Sequence, residues 1–192
     1  MSAIAGLRAA TWSSHQRLER RLDVKARFSD LDAYRAHLQA MWGFCAGLEQ
    51  NIGADRFGDA LSDYESRRKL PLLTQDLLAL GNESEAIQAL ARCRSIPVCP
   101  DAAAAFGCAY VLEGATLGGR MLLPLVQTRL GLTARYGAAF LASYGENVTP
   151  MWHGFGTALD AWCCGPERQA SAAAAAVATF DALEDWLCGG AS

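Results

Sequence analysis

The stretch from Asp101 to Leu130 constrains this chain more than any other. It reads as one long helix stopped by Gly131, yet it contains Gly107, Gly114, Gly118 and Gly119. A glycine inside a helix costs about 1 kcal/mol relative to alanine. Gly114, Gly118 and Gly119 fall within six residues, so something must offset them. One explanation is a bend that lets a flat ligand approach the backbone closely. The other is tight packing against a second helix. Gly114 and Gly118 are four apart and so share one face without side chains.

The rest of the chain is helical in character too. Alanine and leucine are abundant, strongly β-branched runs are scarce, and no period-2 strand pattern stands out. A first helix runs from about Ala3 to Leu22, with Leu7, Thr11, Ser14, Leu18 and Leu22 as its stripe. Ser29 is placed to cap a second helix, with Asp32 completing a capping box. Residues 51–69 read as irregular around Gly53 and Gly58. Pro71 opens a helix that ends at Gly81, and a short helix covers about 84–92. Residues 95–100, with prolines at 97 and 100, form a linker. Beyond Gly131, Thr133 is placed to cap a helix that ends at Gly145. Thr149-Pro150 starts another, and Pro166 opens the last, which reaches about Cys188. The expectation is an all-α fold, one domain over residues 1–192, with seven to nine helices.

Several function classes are excluded. The net charge is −3 and no basic tract suited to nucleic acid is present; Arg67-Arg68-Lys69 reads as a short solvated patch. The seven cysteines are odd in number and show no C-x-x-C spacing, which argues against a zinc site or a disulfide framework. They read as small core hydrophobes in a reducing compartment. The first twenty positions show no secretory signal, and no apolar run is long enough to span a bilayer. The expected place is the cytoplasm, without membrane or nucleic-acid partners.

His15 lies at the edge of the first helix's stripe. A neutral imidazole there could hold a metal through one ring nitrogen; the plainer reading is a boundary histidine with a satisfied hydrogen bond. Glu19, four residues on, shares its face and could accept the other ring N–H. Arg8 lies two turns earlier on that face, ~10 Å along the axis. Its planar fork suits a carboxylate. His37 reads as helix surface or boundary. His153 sits on a late helix, where a propionate contact is one option. Trp42, Trp152, Trp162 and Trp186 read as core.

The segment Leu7-Arg8-Ala9-Ala10-Thr11-Trp12-Ser13-Ser14-His15-Gln16-Arg17-Leu18-Glu19 resembles the first helix of bacterial haem oxygenases. Residues 107–120, from Gly107 through Tyr110, Glu113, Gly114, Gly118 and Gly119 to Arg120, resemble that family's distal helix. Arg67-Arg68-Lys69-Leu70-Pro71-Leu72-Leu73, Ser143-Tyr144-Gly145, and Trp152 with Phe155 follow the family's order. The likeness is strongest to the type that supplies biliverdin to bacterial phytochromes.

The resemblance implies haem as both substrate and cofactor, with His15 as axial iron ligand and Glu19 as its orienting partner. It implies Arg8 near a propionate, and Gly114, Gly118 and Gly119 on the oxygen side. The products would be biliverdin, carbon monoxide and ferrous iron. Electrons must come from outside, from a ferredoxin or a reductase, since no flavin or nicotinamide fingerprint is present. A bacteriophytochrome is the implied recipient of biliverdin. Two departures stand out. Ala115 occupies the place where animal enzymes carry an aspartate that organises distal water, leaving Glu113, Thr116 and Arg120 as candidates for proton supply. Trp12 stands where the animal enzymes have another basic residue.

Two rivals remain at the level of sequence. One is a haem-binding sensor or carrier without turnover. The other is a different activity on a similar helical fold. A di-iron site is disfavoured, because no histidine has Asp or Glu three residues before it.

Overall fold

Ser2 opens the first helix, its hydroxyl accepting from Ala5 N at 3.4 Å, and α1 spans Ala3–Arg21. A computed structural model describes residues 2–189 of the chain. A turn of helix, α2 (Val24–Arg27), leads into α3 (Leu31–Ile52). Asp30, not Ser29, caps α3: its carboxylate accepts from Asp32 N and Ala33 N, and Ser29 Oγ donates to it. A carboxylate at the positive helix end is the stronger cap.

The irregular stretch resolves into 3-10 turns at Ala54–Arg56 and Gly58–Leu61, then α4 (Tyr64–Arg67). There follow α5 (Leu70–Ala79), α6 (Ser84–Gln88) and the long α7 (Ala102–Leu130), capped by Asp101 and closed by left-handed Gly131. The expected helix from Thr133 is not there. Thr133 instead exchanges backbone hydrogen bonds with Tyr136 in a turn, and only α8 (Ala139–Ala142) is helical. Next, α9 (Val148–Trp162) begins one residue before Thr149, which lies inside it. The last helix, α10, runs Pro166–Cys188.

Packing centres on α10, which lies against both α7 and α1; α3 packs against α5, α7 and α10, and α9 against α1 and α7. The alanine run explains how α10 fits. Ala172, Ala175 and Ala176 are buried, and Gly107 faces Ala172 so closely that a Cβ would sit 2.1 Å from its carbonyl oxygen. Small residues on both sides let the two backbones approach.

The Arg67-Arg68-Lys69 stretch is not a solvated patch. Arg67 is 5% and Lys69 1% exposed. Arg67 Nη1 lies 2.8 Å and Lys69 Nζ 2.9 Å from the carboxylate of buried Glu113. Tyr144 OH donates to the same carboxylate, and Arg67 grips Asp63 through two nitrogens. Arg68 and the Lys69 and Leu70 amides are held by Glu49. Three cations in a row look like surface only when their partners, far off in sequence, are invisible. Of the tryptophans, Trp42 is core, whereas Trp162 is 37% exposed. Five of the seven cysteines are buried, and all seven are free thiols.

Candidate functional site

Ion pairs set the orientation of α1. Arg17 bridges Asp181 and Glu184 of α10, Arg21 reaches Glu184 at 2.8 Å, and Ser14 Oγ donates to Asp181. Hydrogen bonding from Arg21, joined by Arg17, holds the Glu184 carboxyl below the usual carboxylate range. At the N-terminal end, Ile4 N donates to Asp160 of α9. Locked this way, α1 turns His15, Leu18, Glu19 and Leu22 toward a cavity of about 430 Å³.

The wall of α7 supplies Ala115, Gly118, Gly119, Met121 and Leu122. The remainder is Val24 of α2, His37 and Met41 of α3, Phe140 and Leu141 of α8, and Leu183 and Leu187 of α10. The lining is mainly apolar, and the volume suits a cofactor-sized ligand. A shallower groove of about 790 Å³ lies elsewhere, by Gly47, Arg92 and Val98, and brings no histidine.

His15 is half-exposed. Its Nδ1 lies 3.6 Å from Glu19 Oε2, beyond hydrogen-bond range. Its ring packs edge-on against Phe180, with centroids 5.6 Å apart. Arg8 is exposed and lies outside the cavity wall. His153 is also exposed and does not reach the cavity.

The glycines divide between the two explanations left open above. At Gly114 and Gly118 a Cβ would meet nothing within 4 Å. At Gly119 it would lie 3.0 Å from the Leu141 carbonyl oxygen, so this residue lets α8 pack against α7. Gly107 packs on α10. Close helix contact therefore accounts for Gly107 and Gly119, and it leaves Gly114 and Gly118 without a partner among the described residues.

Two residues of the site escaped the sequence reading. Asp76 of α5 is fully buried and accepts from Ala139 N and Phe140 N at 2.7 and 2.8 Å, fixing the segment that delivers Phe140 and Leu141 to the cavity. Burial pushes its carboxyl up to about 6 against the pull of those two amides. His37 is 6% exposed rather than on the surface, and it lines the cavity. Its position one turn before Met41 on the buried face was the available signal.

Comparison with known proteins gives the family and the fold. The heme oxygenase family model matches residues 1–188. A heme oxygenase of Xanthomonas campestris pv. campestris (strain 8004) is 30% identical over 100 residues, which is 52% of this chain and 56% of that protein. This chain thus matches little more than half the length of that curated relative. The NO- and CO-bound heme oxygenase of Neisseria meningitidis superposes with a TM-score of 0.76 at 21% identity, covering 100% of this chain and 94% of that one. The heme oxygenase of Leptospira interrogans gives 0.78 at 18%, covering 98% and 100%. Heme oxygenase 2 of Chlamydomonas reinhardtii, without heme, gives 0.75 at 20%, covering 97% and 96%. Together with the helical fold, the near-complete family match settles the membership: the chain belongs to the haem oxygenase family.

Proposed function

We propose that this protein cleaves haem with O2 and external electrons to biliverdin, carbon monoxide and ferrous iron. One observation carries the reading. His15 and Gly118 of α7 line one apolar cavity, and Gly118 has open space where a side chain would be.

The residues present fit a haem. The cavity volume lies in the range of cofactor sites, and its leucine, methionine and phenylalanine walls suit a flat apolar ring. With Nδ1 turned to Glu19, Nε2 of His15 is the nitrogen left for iron. Glu19 favours that tautomer and steadies the ring as a ligand. Arg8, exposed two turns from His15, is free to meet a propionate at the rim. Gly118 and Gly119 present backbone to the opposite face and place no side chain there, while Gly114 lies outside the cavity wall. Bound haem supplies the oxygen chemistry, while the protein sets its ligand, its polarity and its access. Electrons come from a separate donor, a ferredoxin or a reductase.

The test is product analysis. Purified protein loaded with haem, given a ferredoxin system or ascorbate under air, is expected to yield biliverdin and carbon monoxide. Stable haem binding with no ring opening under either donor would favour a carrier or sensor instead. No described helix is long and apolar enough to cross a membrane.

A further inference from the structure

Four buried side-chain polar atoms among the described residues have no hydrogen-bond partner: Tyr64 OH, Asn82 Oδ1, Ser143 Oγ and His37 Nδ1. Of these residues, only His37 lines the cavity that His15 faces. Its ring packs against Phe28, with centroids 5.2 Å apart. Burial, helped by the charge of Arg27, pushes its pKa down to about 3, so the ring is neutral at any ordinary pH. A neutral imidazole carries one N–H donor and one acceptor nitrogen. Leaving Nδ1 buried and unpaired is costly, whereas a phenylalanine there would pay no such penalty. The feature calls for a partner that arrives with the ligand.

The geometry narrows that partner. Apart from His15 and Glu19 on α1, His37 is the one polar side chain in the wall among the described residues. Its helix α3 packs against α7, which carries the glycines, and equally against α10. His37 thus sits on a helix in contact with the glycine-bearing wall. Haem has polar groups in two places, its propionates and its iron. A propionate drawn to His37 would lie among Val24, Met41, Leu183 and Leu187 with one neutral N–H to offset its charge, an expensive burial. Arg27, whose charge acts on His37, already donates to the Leu187 carbonyl.

We propose that His37 is the hydrogen-bonding group on the oxygen side of the haem site, serving a diatomic ligand on the iron directly or through one water. It provides the polar contact that Ala115 lacks. The proposal rests on the haem reading above.

The test uses the full chain loaded with ferrous haem. His37→Phe keeps an aromatic ring and removes the donor, while His37→Gln keeps a donor. In the Phe variant the C–O stretch of bound carbon monoxide is expected to rise, and O2 to leave roughly three- to tenfold faster, the loss of one hydrogen bond. The Gln variant should stay near the wild type in both. Wild-type protein with 15N-labelled histidine provides a readout without substitution: the His37 ring N–H signal should move when carbon monoxide binds. An unchanged C–O stretch and O2 off-rate in His37→Phe would overturn the proposal. So would unchanged gas binding accompanied by a changed biliverdin isomer, which would move the contact to a propionate. An unmoved His37 signal in the wild type would overturn it too. Failure of the wild type to bind haem through His15 would refute the underlying reading instead, and the axial-ligand spectrum reports that separately.

Discussion

Gly107, Gly118 and Gly119 lie on one helix, yet replacing each by alanine should have different consequences. Alanine favours a helix interior over glycine by about 1 kcal/mol. At Gly118 the added methyl meets nothing within 4 Å, so the ligand-free protein should gain about that amount. For a chain of this size the melting temperature should rise by about 2–4 °C. At Gly107 the methyl would sit 2.1 Å from the Ala172 carbonyl oxygen and 2.9 Å from its carbon. Both are backbone atoms and cannot rotate away. Overpacking of this kind costs about 1–3 kcal/mol or more, so the same substitution should lower the melting temperature. Gly119→Ala, with Leu141 backbone at 3.0 and 3.3 Å, should fall between them. Thermal unfolding of the ligand-free variants by circular dichroism measures the order. A larger side chain then tests the ligand. Gly118→Leu should fold normally and bind haem at least tenfold more weakly, about 1.4 kcal/mol. If Gly118→Ala destabilised the protein as Gly107→Ala does, Gly118 would be a packing glycine. If Gly118→Leu bound haem like the wild type, this wall would not face the ligand.

Two further outcomes follow from buried charges. Glu113→Ala strips Arg67 and Lys69 of their shared carboxylate; denaturant unfolding should show a loss of about 3–5 kcal/mol, the usual cost of leaving buried charge unpaired. The Asp76 carboxyl, raised from 3.8 to about 6 by burial, binds its proton more tightly in the folded state. Its contribution to stability is therefore present below about pH 4 and lost as pH rises through about 6, a swing of order 3 kcal/mol. Stability measured against pH, relative to Asp76→Asn, should show that loss on the alkaline side, and NMR should place the carboxyl's midpoint well above 4.

Local signals carried much of this fold and site. The long helix, the Gly81 and Gly131 stops, the Pro166 start and the stripe on α1 were legible, because caps and 3.6-residue periodicity act within a few residues. That His15 and Glu19 share a face was legible for the same reason, being one turn apart, and both line the cavity. What stayed hidden depends on contacts distant in sequence. The Thr133 segment forms a turn, held where Asp76 ties up the Ala139 and Phe140 amides from 63 and 64 residues away. Arg67 and Lys69 are buried because Glu113 and Tyr144 reach them across the fold. The four glycines read alike in the chain, and only neighbours on α8 and α10 separate packing glycines from open ones. His37 was misread because a single histidine on an amphipathic helix does not reveal what lies opposite.

Resonance Raman spectroscopy of the ferrous haem complex addresses the iron–histidine bond itself. The wild type should show an iron–histidine stretching band. In His15→Ala that band should vanish, and added imidazole should restore it. A band of unchanged frequency and intensity in His15→Ala would mean that another residue holds the iron and that α1 does not bear the ligand.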